Sequence, residues 1–213
     1  VVMASISDPT ALGSTRGLVF WPLKRVDATA YQIILQYKKL WVGYRNTIFY
    51  IIAHCVLTGI FTVIAGYVFS RKRLYFRNGF MMIISFTMLF NGGMIPTFIL
   101  IRKLGMIDTP LAMVVPGMLN VFNILIMRTS MENIPSELEE SAQIDGAGEL
   151  TIMWKIILPL CKATFAVIVL FTAVNKWNDY MSALLYLPTR TELYPLQMVL
   201  RQILITSTAD YSN

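Results

Sequence analysis

Long stretches without a single charged side chain decide what this chain can fold into. Residues 46–70 form 25 consecutive positions free of Asp, Glu, Lys and Arg, residues 78–101 form 24, and residues 109–127 form 19. A helix needs roughly 20 mostly apolar residues to cross a bilayer core, so each of these runs is long enough. A fourth, 163–175, offers 13 such positions. It spans if its helix starts near Leu158 and Lys162 snorkels to the headgroups. Composition agrees, with 56% hydrophobic and 14% charged residues, where a soluble domain carries about a quarter charged. The pattern predicts an all-α fold, a polytopic membrane helical bundle with four or five spans.

The net charge of +6 does not mark a nucleic-acid binder, because the basic residues sit in short loops between apolar runs. Arg71, Lys72, Arg73 and Arg77 share one connection, and loops dense in Lys and Arg stay in the cytoplasm. The run 46–70 then heads inward, 78–101 outward and 109–127 inward. This makes 128–158 a cytoplasmic loop, after which the fourth span returns outward. Arg102, Lys103 and the five basic residues of segment 1–43 fall outside, so the assignment rests on the 71–77 cluster.

The remaining polar landmarks are few. Cys55 and Cys161 lie at opposite ends of this topology and are expected to stay unpaired. His54 is the single histidine, so neither a metal site nor a catalytic triad can be assembled around it. It reads as a tolerated intramembrane polar residue or as part of a substrate pathway. Asn91-Gly92-Gly93 and Pro96 interrupt the second run, either as a broken helix lining a cavity or as a place of close helix packing. In segment 1–43, Tyr31, Ile34, Leu35 and Lys38 fall at helical spacing within 28–40. That helix either helps receive a docking protein or lies in the interface without a specific partner. No glycine-rich phosphate loop is present, so the chain does not hydrolyse ATP alone. No cofactor is expected.

The loop 128–158 differs in composition, with Glu132, Glu137, Glu139, Glu140, Asp145 and Glu149 against Arg128 and Lys155. Ser136 with Glu139 fits a capping box, and a helix is expected over 137–144. Gly146 suits the left-handed residue that ends a helix. A second short helix, about 149–157, leads to Pro159 and the membrane.

Glu140-Ser141-Ala142-Gln143-Ile144-Asp145-Gly146-Ala147, followed by Ile156-Ile157-Leu158-Pro159, resembles the EAA motif of binding-protein-dependent ABC permeases. Ser141 replaces the usual alanine, and Ala163 stands where the family often has proline. Phe86-Thr87-Met88, Ile95-Pro96, Ile126-Met127-Arg128, Trp177-Asn178 and Leu193-Tyr194-Pro195-Leu196-Gln197 are similar to the carbohydrate-uptake branch, in particular the second permease of maltose-type importers.

The resemblance implies a type I ABC importer permease in a bacterial cytoplasmic membrane, usually with six spans. Residues 1–43 would be an outer segment after a missing first span, and 44–213 the permease domain, with the last span also missing. It further implies alternating access, surrounded by membrane lipid, with two ABC ATPase subunits, a second permease subunit, an extracytoplasmic solute-binding protein and a sugar substrate. Leu138, Glu140, Ala142, Ile144, Asp145, Gly146 and Ala147 would couple to the ATPase. Asn91, Asn123, Trp177 and Asn178 are the candidates for a substrate pathway, where amides and aromatic faces suit a sugar. A permease for peptides or amino acids shares the coupling loop but not the cargo. A secondary transporter is disfavoured by the lack of mid-span carboxylates.

Overall fold

The structure, a computed structural model, describes residues 29–71, 73–90 and 92–210, together with Met3, Ser7 and Trp21. Helices carry the described fold: α1 (Thr29–Gln36), α2 (Lys38–Ser70), α3 (Arg77–Leu89), α4 (Met94–Lys103), α5 (Pro110–Val114), α6 (Val121–Glu132), α7 (Ser136–Ile144), α8 (Glu149–Leu160), α9 (Lys162–Trp177), α10 (Met181–Tyr186) and α11 (Leu196–Asp210).

The organising element is α2, 33 residues without a proline or an interruption. Its buried positions include Gly43, Asn46, Thr47, Tyr50, His54, Thr58, Thr62, Val63, Gly66 and Tyr67. They recur every three or four residues and so form one stripe. Ile48, Phe49, Ile52 and Val56 on the other side are exposed. The small and polar residues therefore face protein and the large apolar ones face outward. This suits a helix in hydrocarbon, where close approach and hydrogen bonds hold helices together. Helices α6 and α9 pack along α2, with α11 against its Lys38 end.

Two apolar clusters sit at opposite ends of α2. Near Ser70, Val63 and Tyr67 meet Met127 and Met131 of α6, Ala142 of α7, Ile152, Met153 and Ile157 of α8, and Ile168 of α9. Near Lys38, Tyr50 meets Met113, Val114, Ala183, Leu187, Tyr194, Met198 and Val199.

Gly66 sets the distance between α2 and α6. A Cβ there would lie 3.0 Å from Met127 Cγ, 3.1 Å from Met127 Cβ and 3.3 Å from the Arg128 nitrogen.

The charge-free runs become helices, but not always single ones. Among the described residues, only α2 is long and apolar enough by itself to cross a membrane; α3 with α4 and α8 with α9 qualify as bent pairs, which brings the described spans to three if each pair is one span. The run 109–127 does not qualify. It divides into α5 and the first part of α6, because Pro116 lacks an amide hydrogen and cannot continue a helix. The fourth run also differs from expectation. Its helix begins at Lys162 rather than near Leu158, and the chain bends by 83° between α8 and α9.

At 28–40, α1 stops at Gln36 and Lys38 already belongs to α2, while Tyr31, Ile34 and Leu35 are exposed. Asn91 lies outside the described residues. A Cβ at Gly92 would approach only Pro96, at 3.9 Å, and one at Gly93 would meet nothing within 4 Å. This is a helix break rather than a close crossing. Cys55 and Cys161 are free thiols, as expected.

Candidate functional site

Three places in the bundle combine exposed chemistry with a held backbone. The first is the α7–α8 pair. Helix α7 ends in a Schellman motif: the Ala147 amide donates to the Ala142 carbonyl at 2.9 Å, and the Gly146 amide to the Gln143 carbonyl at 3.0 Å. Gly146 has φ +81°, the left-handed conformation expected from the sequence. The turn projects side chains of mixed character. Ala142 is buried and Ala147 packs beside it, whereas Ile144 is 87% exposed and Leu138 is 45% exposed. Glu140 and Asp145 are exposed and make no side-chain hydrogen bond among the described residues.

The expected capping box is not formed. Pro135 occupies the cap position, Ser136 is already helical, and no side chain caps α7. Glu139 instead pairs with Arg71 of the α2 terminus, because a guanidinium is a stronger partner for a carboxylate than a backbone amide. Tyr67, one turn earlier on α2, donates to Glu149 Oε2 at 2.6 Å and to Glu139 Oε1 at 3.4 Å. The second helix is also unlike its expected form. It runs on to Leu160, and residues Ile152–Ile157 are wound as a π-helix, a variant that recurs at functional sites.

The second place is a cleft of about 670 Å³. His54 and Thr58 of α2 line it together with Asn120 and Asn123 at the start of α6, and Phe171, Thr172, Asn175 and Lys176 of α9. Asn178, Asp179 and Tyr180 complete the rim. Asn120 caps α6, its Oδ1 accepting from the Asn123 amide at 3.1 Å. Lys176 Nζ donates to Asp179 Oδ2 at 2.8 Å across an i,i+3 spacing. Burial works upward on Asp179, but Lys176 and the Ser182 amide and hydroxyl outweigh it and hold the carboxyl below the usual range. His54 Nδ1 lies 2.6 Å from the Val114 carbonyl, so its ring orientation is fixed.

Of the substrate-pathway candidates, Asn123 and Asn178 line the cleft and Trp177 does not. The lining face of α9 passes through 168, 171, 172 and 175, and Trp177 falls outside that helical phase. It packs near Tyr44, ring centroids 6.3 Å apart. Thr58, Asn120 and Asn175 were not expected here. Their signal was an amide or hydroxyl inside an otherwise apolar run.

The third place is the segment between α10 and α11 at the Lys38 end of α2. Asn46 Nδ2 donates to the carbonyls of Glu192 at 2.7 Å and Tyr194 at 3.1 Å. Tyr50 donates to the Leu193 carbonyl at 2.9 Å, and the Leu196 amide donates to Thr47 Oγ1 at 2.8 Å. From the other side Asp108 accepts from the Thr189 hydroxyl and from the amides of Thr189 and Arg190. Desolvation works upward on Asp108, yet these hydrogen bonds and the Arg190 charge hold it below the usual carboxylate range. Its contribution is therefore complete at neutral pH and lost only as pH falls below about 4. Residues 188–192 stay exposed between these anchors. Asn46→Ala would leave two backbone carbonyls without their donor, a cost of about 1–3 kcal/mol. The expected result is faster proteolysis within 187–195 at unchanged helical content by circular dichroism.

The family described as "Binding-protein-dependent transport system inner membrane component" matches residues 59–193, a region containing the α7–α8 element and most of the cleft. The chain belongs to that family. Among relatives of this permease family, the polygalacturonan/rhamnogalacturonan transport system permease protein YtcP of Bacillus subtilis (strain 168) is 40% identical over 178 residues, covering 84% of this chain and 62% of that protein. Protein LplC of the same organism is 42% identical over 153 residues, covering 72% and 52%. The chain thus spans between about half and two thirds of these relatives' lengths. A chain of a solved structure, the crystal structure of a bacterial ABC transporter involved in the import of the acidic polysaccharide alginate, superposes with a TM-score of 0.88 at 39% identity. It covers 94% of this chain and 71% of that one. A partial permease bundle of ABC-importer type is therefore the architecture.

Proposed function

We propose that this chain is the membrane-spanning permease subunit of an ATP-driven importer of oligosaccharides, working by alternating access in a bacterial cytoplasmic membrane. One observation carries the reading. The α7 terminus presents Ile144 and Leu138 beside Glu140 and Asp145 on a turn closed by Gly146, and this same element is tied to the long span α2. An exposed apolar residue ringed by acidic groups suits docking into a groove with a basic rim. The tie to α2 gives a docked ATPase something to move. The basic residues after Ser70 support a cytoplasmic place for this element.

On this reading ATP hydrolysis belongs to a partner ATPase, a second permease completes the pathway, and a solute-binding protein docks at the opposite end, where the anchored segment 188–192 is exposed. The cleft, with four amide side chains and three aromatic rings around it, suits the hydroxyls and ring faces of a sugar. YtcP and the alginate importer are named for acidic polysaccharides, so uronate oligosaccharides are the proposed cargo. The names of these relatives offer no support to a peptide or amino-acid cargo.

The test is reconstitution of the permease pair, ATPase and binding protein in proteoliposomes. ATP-dependent accumulation of oligogalacturonides, with neutral maltodextrins and peptides left outside, is expected. Absence of ATP-dependent uptake of any saccharide overturns the reading. Within that system Ile144→Asp should weaken ATPase association at least about tenfold, the loss expected for a central apolar anchor, as read by co-purification.

A further inference from the structure

We infer that Tyr67 and Arg71 are positioning residues that lock the α7–α8 element to the end of span α2, so that force applied to α7 is delivered to α2. The inference rests on the proposed importer function and names how its docking element is held.

Tyr67 lies in the last turn of α2, and Arg71 follows Ser70 directly as the residue that caps the helix in extended conformation. The Arg71 guanidinium lies 4.1 Å from the centre of the Tyr67 ring, which stacks a cation on an aromatic face. Arg71 pairs with Glu139 of α7. The Tyr67 hydroxyl reaches Glu149 at the start of α8 and, at a longer distance, Glu139. Two carboxylates on either side of the Gly146 turn are thus gripped by two adjacent side chains of one span. Side chains at Arg71 and Glu139 are 23% and 13% exposed, so the pair is only partly screened by water. Among the described residues, these are the only side-chain hydrogen bonds and ion pairs from α7 or α8 to another part of the bundle. The neighbouring ties do different work. Arg77 pairs with Glu132, joining α3 to α6, while Arg128 holds the same carboxylate from within α6. Ser130 bonds Thr164 at 2.9 Å, joining α6 to α9.

The apolar contacts alone would let the element slide. Ala142, Ile152 and Met153 rest on Val63, Met127 and Met131, and such packing is non-directional. Directional bonds to α2 set the register, while the π-wound stretch Ile152–Ile157 and the 83° bend separate the element from α9. The stiff connection therefore runs to α2, not along the chain to α9.

Two measurements test this. In proteoliposomes of the complete transporter, Arg71→Glu sets a carboxylate against Glu139, and uptake per ATP hydrolysed should fall about tenfold while the ATPase stays assembled. Tyr67→Phe, which keeps the ring and the stacking, should lower it about threefold. The charge swap Arg71→Glu with Glu139→Arg should return it to within about twofold, the signature of direct coupling between the two sites. Unchanged stoichiometry in the single variants, or a swap no better than Arg71→Glu alone, overturns the inference.

Amide hydrogen exchange on the detergent-purified chain provides the second readout and needs no transport. Exchange over 137–151 should rise about tenfold in both single variants, with α9 unaffected, as local opening becomes easier. Unchanged protection there overturns the latch whatever the protein carries. Wild-type protein that takes up no saccharide overturns the importer reading and leaves the exchange result to decide the latch.

Discussion

Gly146→Val should abolish coupled transport, whereas Gly146→Asn should retain most of it. The backbone at 146 has φ +81°, a conformation that costs an L-residue roughly 1–2 kcal/mol, with Asn paying least. A branched side chain pays more than an unbranched one there. Space is not the obstacle, since a Cβ at this position would meet nothing within 4 Å. The cost falls on the Schellman bonds from Ala147 and Gly146 to Ala142 and Gln143. Losing them swings Ile144 away from its place and unpairs the two helices that Tyr67 and Arg71 hold. A drop in saccharide uptake of at least about tenfold is expected for Val, in line with that strain, with folding preserved by thermal melt. Equal uptake by the Val and Asn variants would show that the turn geometry is immaterial.

Gly66→Leu should have the largest effect on stability. The missing side chain lets α2 and α6 approach until Met127 and the Arg128 backbone occupy the space a Cβ would need. The Met127 side chain is completely buried and cannot swing clear. Forcing a leucine between the helices should cost about 3 kcal/mol, the upper part of the usual range for an overfilled core. Gly66→Ala should cost about 1 kcal/mol, since the clash is smaller and alanine favours the helix. Thermal unfolding of the detergent-purified variants gives the order, wild type above Ala above Leu. A Leu variant melting with the wild type would mean that the α2–α6 crossing is looser than the geometry shows.

The apolar spans and the Gly146 turn were legible because their causes are local. Absence of charge over 25 residues and a glycine after a periodic segment each act where they stand. Elsewhere the deciding interaction came from far along the chain. Ser136 and Glu139 have the spacing of a capping box, yet Glu139 turns to Arg71, 68 residues earlier. The run 109–127 satisfies a count of charges, but such a count is blind to Pro116, which interrupts the backbone. Trp177 has chemistry suited to a sugar, but helical phase turns it toward Tyr44 and away from the cleft. In sequence Arg71 marks only the membrane side, because nothing in its neighbours shows the Glu139 carboxylate that folding brings to it.

The unbroken course of α2 has a mechanical consequence. At 1.5 Å per residue its 33 residues make a rod of about 50 Å. Asn46, Thr47 and Tyr50 grip the 192–196 stretch near one tip, and Tyr67 and Arg71 grip the α7–α8 pair near the other. No proline or π-turn between them supplies a soft joint. A lever without a joint cannot tilt at one tip alone. Whatever loads one tip biases the other by the same free energy in either direction, so a ligand on one face and a nucleotide-driven motor on the other would push against a single beam.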